Sequence, residues 1–255
     1  MNRSENGTGR VLVVIPARYE SSRFPGKALA DLYGEPLIVR TARNAARMRR
    51  ADKVVVATDD ERIAAAVTAA GCLCEMTGQH PTGTDRIAEV AARYEGEIIL
   101  NLQGDEPLLD PGQVDRLVDM MVQDQSIDIG TCAHPFASAE TWRDRNTVKV
   151  LVDQFGFALY FSRAAIPGNF PGREDRGHEL AGRHVGVYAF RRRALERFIR
   201  LAPTRYEQAE GLEQLRALES GMRIKVLMID QVAVGVDTPA DLEEVRHLWR
   251  IRKDT

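Results

Sequence analysis

Short apolar runs alternate with amphipathic stretches along the first half of the chain. The runs that predict buried β-strands are Val11–Ile15, Lys53–Ala57, Cys72–Met76 and Glu97–Leu102. The stretches in which apolar residues recur at helical spacing cover residues 59–71, 84–94 and 111–123. This alternation of strand and helix is typical of an α/β fold with a mostly parallel, doubly wound sheet and helices on both faces.

The second half of the chain is less regular. Two strand-like runs, Thr147–Asp153 and Gly156–Phe161, flank a turn and predict an antiparallel insertion. The Gly-, Pro- and charge-rich segment Pro167–Arg183 predicts a mobile loop. The later predicted elements are a strand at Val185–Phe190, helices at Arg192–Leu201 and Arg205–Glu219, a strand at Arg223–Met228 and a helix at Thr238–Ile251. We therefore expect a flexible tail over residues 1–10 and a single domain over 11–255 that carries a small antiparallel subdomain.

Composition narrows the functional class only slightly. Hydrophobic residues make up 44% and charged residues 28% of the chain, and the formal net charge is −2. This balance is that of an ordinary globular protein and does not predict a nucleic-acid partner. The three cysteines do not form a disulfide scaffold, and the first apolar run is too short to span a membrane. We expect a cytoplasmic protein without a membrane partner.

The segment after the first predicted strand concentrates cations and hydroxyls. Within Pro16–Lys27 lie Arg18, Arg23 and Lys27, together with Ser21. In an open α/β sheet, ligands bind beyond the carboxyl ends of the strands, and cations in such a loop suit a polyphosphate. The alternative is a solvated surface loop. The segment lacks the glycine pattern of a P-loop or of a dinucleotide-binding turn.

Acidic residues follow two later apolar runs. Asp105 and Glu106 come after the fourth predicted strand, and Mg²⁺ prefers one or two carboxylates together with water and phosphate oxygens. The alternative for this pair is a simple turn. Asp237 lies beside the last helix, and the alternative there is that it caps that helix. Thr82 either caps the helix that follows it or brings backbone to a base or ribose. A cationic loop with separated acids indicates metal-assisted phosphoryl or nucleotidyl transfer.

Eight segments, in order, resemble the 3-deoxy-manno-octulosonate cytidylyltransferase (CMP-Kdo synthetase) family. They are Pro16–Lys27, Ala57–Asp59, Thr82–Arg86, Asn101–Pro107, Phe161–Arg163, Arg183–Tyr188, Leu212–Arg216 and Val236–Pro239. The resemblance runs from about Val11 to Arg250. It implies a Rossmann-like nucleotidyltransferase fold with an antiparallel dimerisation subdomain, a homodimer, and Mg²⁺ as cofactor. It also implies that CTP reacts with the acidic 2-keto sugar Kdo to give CMP-Kdo and diphosphate, for lipopolysaccharide biosynthesis.

The resemblance also assigns expected roles to individual residues. As catalytic residues it implies Arg18, Lys27, Asp105 and Asp237, with the two aspartates as metal ligands. As substrate-binding residues it implies Ser21, Arg23, Thr82, Gln103, Arg163, His184, Tyr188, Glu213 and Gln214. Of these, the residues from Arg163 onward match the sugar-acid pocket of the family.

Two alternatives stay open on the sequence. Residues 167–183 do not follow the family pattern, so the substrate could be another ulosonic acid, such as 8-amino-Kdo or a sialic-acid-like sugar. A nucleotide-binding regulatory protein without turnover is the alternative from another class. The presence of Lys27, Asp105 and Asp237 argues against that second alternative.

Overall fold

The computed structural model describes residues 10–20, 23–168, 176–230 and 234–253. In these ranges the strands are β1 (Val11–Ala17), β2 (Lys53–Thr58), β3 (Cys74–Met76), β4 (Ile98–Asn101), β5 (Ile129–Pro135), β6 (Lys149–Val152), β7 (Ala158–Ser162), β8 (Gly182–Arg191) and β9 (Ile224–Met228). The α-helices are α1 (Leu37–Ala45), α2 (Glu61–Ala69), α3 (Gly83–Ala91), α4 (Pro111–Gln123), α5 (Ala139–Arg143), α6 (Gly177–Leu180), α7 (Arg192–Phe198), α8 (Arg205–Glu210), α9 (Gln214–Glu219) and α10 (Pro239–Lys253).

The chain divides into two compact units. The first, here called the N/C unit, comprises Met1–Arg116 and Ala233–Thr255, and the second, the insert unit, comprises Leu117–Val232. The expectation of a single domain over 11–255 stays a prediction. The predicted tail over residues 1–10 lies outside the described residues except for its last position. Among the described residues, no helix is both long and apolar enough to cross a membrane.

The N/C unit contains a parallel sheet in the order β3-β2-β1-β4. Its central strand β1 is apolar along its length, and Val13, Val14 and Ile15 are completely buried. A strand that is apolar on both faces needs cover on both faces, and helices α1 and α3 pack against β1. Asp60 accepts a hydrogen bond from the Arg62 N–H and so begins α2. The prediction of a parallel α/β sheet in the first half is confirmed.

The last helix belongs to the same unit. Thr238 accepts a hydrogen bond from the Asp241 N–H (3.3 Å), and Pro239 is the first residue of α10. Leu242 and Val245 of α10 pack in a cluster with Leu32 and Leu37. The C-terminal segment therefore packs against the loop region that follows β1.

The insert unit mixes strand directions. Strand β5 pairs antiparallel with β8 and parallel with β9, and β6 pairs antiparallel with both β7 and β8. The predicted antiparallel pair Thr147–Asp153 and Gly156–Phe161 is confirmed as β6 and β7.

The structure corrects two expectations in the insert unit. The predicted single helix Arg205–Glu219 is wrong, because Gly211 adopts a left-handed conformation (φ 64°) that ends α8 before α9 begins. The predicted loop Pro167–Arg183 is wrong at its C-terminal end, where Gly177–Leu180 is helical and Gly182 begins β8. Residues 169–175 of that loop lie outside the described residues. Helices α1 and α5 and strand β5 were not predicted from the sequence.

Candidate active site

The loop after β1 is folded back by a tight turn that places Lys27. Gly26 has φ 73°, its N–H bonds the Tyr19 carbonyl (2.9 Å), and a Cβ there would lie 3.1 Å from the Tyr19 hydroxyl oxygen. A residue with a side chain would be strained at that φ and crowded by the ring. Lys27 then begins a short 3-10 helix, Lys27–Leu29. The sequence Gly26-Lys27 therefore sets the position of this lysine at the carboxyl edge of the sheet.

The Lys27 ammonium lies among three oxygens of the N/C unit. It donates to the Asp105 carboxylate, to Asp237 Oδ1 (3.2 Å) and to the Val236 carbonyl (3.1 Å). The two acidic segments are joined directly, since the Val236 N–H donates to the Asp105 carbonyl (2.9 Å). The side chains of Lys27 and Asp105 are only 18% and 25% exposed, so this ion pair is partly shielded from water. The structure thus brings together three of the four residues predicted to be catalytic.

The side chain of Asp237 does not cap the last helix. Asp241 Oδ2 instead accepts from the N–H groups of Asp237 (2.9 Å) and Thr238 (2.7 Å). Burial opposes ionisation of Asp241, but these backbone hydrogen bonds, the hydrogen bond with the Thr238 side chain and the charge of Arg23 together lower its pKa. The Asp237 carboxylate contacts Lys27 and, through Oδ2, Arg23 (3.0 Å). The capping alternative for Asp237 is therefore wrong.

The neighbouring acids Asp105 and Glu106 differ in environment. Asp105 meets Lys27, whereas Glu106 Oε2 is buried and has no hydrogen-bond partner among the described residues. Burial, followed by the negative charges of Asp105 and Asp237, raises the pKa of Glu106 to about 8. Glu106 is thus largely protonated at neutral pH, and the pair does not act as two equivalent carboxylates.

The hydroxyl of Thr82 is used within α3. It accepts from the Asp85 N–H (3.2 Å) and donates to Asp85 Oδ2 (2.9 Å), so it caps the helix. Its role in substrate binding stays a prediction. Nearby, the buried Arg86 donates to Asp59 Oδ2 (2.9 Å) and Thr77 Oγ1 (2.6 Å), which ties together the segments that follow β2 and β3. Arg86 was not predicted as a site residue.

Two further predicted residues of the N/C unit follow its strands. Arg18 is exposed at the end of β1, and Gln103 is half-buried after β4. Ser21 lies outside the described residues.

In the insert unit, the predicted sugar-site residue Arg163 is held at several points. Its N–H donates to Glu210 Oε2 (2.8 Å), its Nε donates to the Glu210 carbonyl (2.8 Å), and its own carbonyl accepts from Lys149 Nζ (3.0 Å). Ser162 Oγ donates to the other carboxylate oxygen of Glu210 (2.6 Å). Lys149 is completely buried, which lowers its pKa. These roles of Lys149 and Glu210 were not predicted from the sequence, because they depend on contacts between distant segments.

His184 and Tyr188 lie together on β8. Their ring centroids are 5.4 Å apart, and His184 also meets the edge of Phe161 at 5.1 Å. Burial lowers the pKa of His184 to about 3, so its ring is neutral at physiological pH. Burial and, secondly, the negative charge of Glu213 raise the pKa of the Tyr188 hydroxyl. Gln214, beside Glu213, is buried as the first residue of α9. The side chains of His184 and Tyr188 are thus neutral at physiological pH, and both residues are half-buried.

Comparison with known proteins gives a consistent result. Residues 12–224 match the family model described as "Cytidylyltransferase". The chain is 46% identical over 252 residues to a 3-deoxy-manno-octulosonate cytidylyltransferase of Geotalea uraniireducens (strain Rf4), covering 96% of this chain and 100% of that one. It is 49% identical over 240 residues to the protein of the same name from Anaeromyxobacter sp. (strain K), covering 93% and 97%.

A solved structure is similar over nearly the whole chain. It is a CMP:2-keto-3-deoxy-manno-octonic acid synthetase complexed with CTP, with a TM-score of 0.90 and 41% identity, covering 95% of this chain and 99% of that one. The α/β fold class expected from the sequence is confirmed by this similarity.

Proposed function

This chain belongs to the cytidylyltransferase family, and from that premise we propose that it activates Kdo with CTP. The reaction is CTP + Kdo → CMP-Kdo + diphosphate. The anomeric hydroxyl of the sugar acid attacks the α-phosphorus of CTP. The bond between that phosphorus and the oxygen bridging to the β-phosphorus breaks, and diphosphate leaves. The product is the activated sugar used in lipopolysaccharide biosynthesis.

The observation that carries this proposal is the placement of Lys27 between Asp105 and Asp237. A partly shielded ammonium at the carboxyl edge of the sheet can offset the charge that grows on the leaving diphosphate. Arg23, which is largely exposed and contacts Asp237, adds positive charge beside it. Arg18 extends the same cationic loop. These residues bind and orient the triphosphate.

The same geometry fits Mg²⁺, which we propose as the cofactor. Oxygens of Asp105 and Asp237 already converge on one cation, the Lys27 ammonium, and Mg²⁺ accepts one or two carboxylates when phosphate oxygens and water complete its shell. In the described part of the chain, no group of three or more His, Cys, Asp or Glu side chains could hold a metal ion. Asp105 and Asp237 would therefore share the metal with the nucleotide. When bound, Mg²⁺ supplies charge neutralisation of the phosphates.

We propose that the insert unit supplies the contacts to the sugar acid. Arg163 is a positioned cation suited to a carboxylate, and His184, Tyr188, Glu213 and Gln214 offer neutral and acidic groups suited to hydroxyls. Gln103 and Thr82 remain predicted substrate contacts. A homodimer and a cytoplasmic location remain predictions as well.

The experiment that tests the proposal is a diphosphate-release assay with Mg²⁺ and a panel of acidic 2-keto sugars. The panel contains Kdo, 8-amino-Kdo and a sialic acid, each offered with CTP, UTP, ATP and GTP. We expect release with CTP and Kdo, with CMP-Kdo identified by mass spectrometry. A preference for 8-amino-Kdo or a sialic acid over Kdo would overturn the assignment of substrate, and equal rates with ATP would overturn the assignment of nucleotide.

A further inference from the structure

An irregularity in the pairing of β5 with β8 lies beside the proposed sugar site. Thr131 pairs with Tyr188, but the next residue, Cys132, pairs with Val185, so residues 186 and 187 of β8 are extra. A bulge of this kind bends a strand and changes the direction of its side chains, and such bulges often occur next to active sites. Here it separates His184 from Tyr188 along the strand, yet their rings still lie close together.

The hydroxyl of Thr131 sits at this bulge and has three polar neighbours. Its Oγ1 lies 2.7 Å from the Val187 carbonyl, 3.3 Å from the Val185 carbonyl and 2.9 Å from His184 Nε2. Thr131 is completely buried, so water does not compete for these contacts. The hydroxyl therefore contacts one of the two extra residues, Val187, and also Val185, the residue just before them.

Counting hydrogens assigns a direction to each contact. A threonine hydroxyl has one hydrogen to donate, and a carbonyl oxygen can only accept. The 2.7 Å separation from the Val187 carbonyl is a normal O–H···O distance, so the Thr131 hydrogen points there. Thr131 Oγ1 must then accept from His184, which requires the proton of the neutral imidazole to be on Nε2.

We propose that Thr131 is a positioning residue that fixes the tautomer of His184, so that His184 Nδ1 accepts a hydrogen bond from a hydroxyl of the sugar acid. Among the described residues, Nδ1 has no hydrogen-bond partner, and the His184 side chain is half-buried rather than sealed. A neutral ring with its proton on Nε2 has its lone pair on Nδ1, which suits an O–H donor and not a carboxylate. His184 then acts as a fixed acceptor and not as a base. The identity of the sugar in this inference rests on the proposed function, whereas the tautomer of His184 does not depend on it.

Two variants of Thr131 separate this role from a purely structural one. Thr131→Val keeps the shape and removes the hydroxyl, whereas Thr131→Ser keeps the hydroxyl. We expect Thr131→Val to raise the KM for Kdo about tenfold and leave the KM for CTP unchanged, because one neutral hydrogen bond is lost or misdirected. Thr131→Ser should stay within about twofold of the wild type for both substrates. Urea unfolding of each variant shows whether lost stability accompanies the change.

The tautomer itself is read by nitrogen-15 NMR of histidine-labelled wild-type protein, with His184→Gln used to assign the signals. Protonated and unprotonated imidazole nitrogens resonate at well-separated frequencies. We expect Nε2 to be protonated and Nδ1 unprotonated in the wild type, and a mixture of tautomers in Thr131→Val. A wild-type ring with its proton on Nδ1 would overturn the inference, even if Thr131→Val failed to fold.

The KM measurements separate a failure of the Thr131 inference from a failure of the proposed function. If the wild type does not use Kdo, the proposed function fails, while the NMR result still decides the tautomer. If the wild type uses Kdo and Thr131→Val has an unchanged KM for it, the inference fails and the proposed function stands.

Discussion

Replacing Lys27 with methionine tests the central cluster of the N/C unit. Methionine has a similar unbranched shape but no charge, so Asp105 and Asp237 lose the cation that lies between them. If Lys27 meets charge that grows as diphosphate leaves, Lys27→Met should lower kcat by about 10²–10³-fold. A role limited to a solvated surface loop predicts no change.

The cost in stability can be worked out from the contacts. A hydrogen bond to a charged group contributes about 1.5–3 kcal/mol, and the Lys27–Asp105 pair is shielded enough for that range to apply. Asp237 is 48% exposed, so its contact with Lys27 contributes only about 0–1 kcal/mol. We therefore expect Lys27→Met to lose about 1.5–4 kcal/mol of unfolding free energy in the presence of a chelator.

Urea unfolding with and without Mg²⁺ is the assay, run beside steady-state kinetics. Because the two carboxylates remain in the variant, added Mg²⁺ should restore part of its lost stability. Arg23→Gln is the matched control for stability, since Arg23 pairs with Asp237 at an exposed position and should cost less than about 1 kcal/mol. A Lys27→Met protein with wild-type stability and wild-type kcat would refute the reasoning about the cluster.

Three further predictions follow from the same structure. Asp237→Asn should fold normally, since Asp241 and Thr238 cap α10, but should need more Mg²⁺ for half-maximal activity; an unchanged Mg²⁺ titration would exclude Asp237 as a metal ligand. Arg216→Met should cost about 3–5 kcal/mol in urea unfolding at neutral pH, because it leaves the buried Glu207 carboxylate without its cationic partner. Burial alone would raise the pKa of Glu207, but hydrogen bonds led by the one from Arg216 lower it. The ion pair therefore stabilises the fold above the ordinary carboxyl pKa, and this stabilisation disappears as pH falls through the lowered pKa. The cost of Arg216→Met should shrink in acid for the same reason. Because the pKa of His184 is lowered to about 3, His184 should not titrate between about pH 6 and 8. Any inflection in the pH profile of kcat/KM for Kdo in that range should therefore persist in His184→Gln.

Much of the N/C unit could be predicted from local sequence. Its strands are continuous apolar runs, and helices α2 and α3 begin at the capping residues Asp60 and Thr82. The helix Pro111–Gln123 was predicted with its observed bounds. The break at Gly211 was missed because a glycine within a helical pattern is often tolerated, and only its left-handed backbone shows that it ends α8.

The candidate site was predictable in part. The resemblance placed Lys27, Asp105 and Asp237 in one site, and the structure brings them into contact. The capping alternative for Asp237 could have been rejected from sequence, since Thr238 followed three residues later by Asp241 is itself a capping signal.

The positioning residues of the insert unit could not have been found in the same way. Thr131, Lys149 and Glu210 act on residues that are distant in sequence, and nothing local distinguishes them from ordinary strand or helix positions.

The discontinuous make-up of the N/C unit has a consequence for synthesis of the protein. Lys27 and Asp105 lie in the first part of that unit, whereas Asp237 and α10 come after the whole insert unit has been translated. A nascent chain that has only just completed β9 has therefore made the cationic loop and one acid, but not the second acid or the helix whose Leu242 and Val245 pack beside Leu32. Nearly the entire polypeptide must leave the ribosome before the cluster of Lys27, Asp105 and Asp237 can assemble, so a chain terminated before Asp237 should have no partial activity.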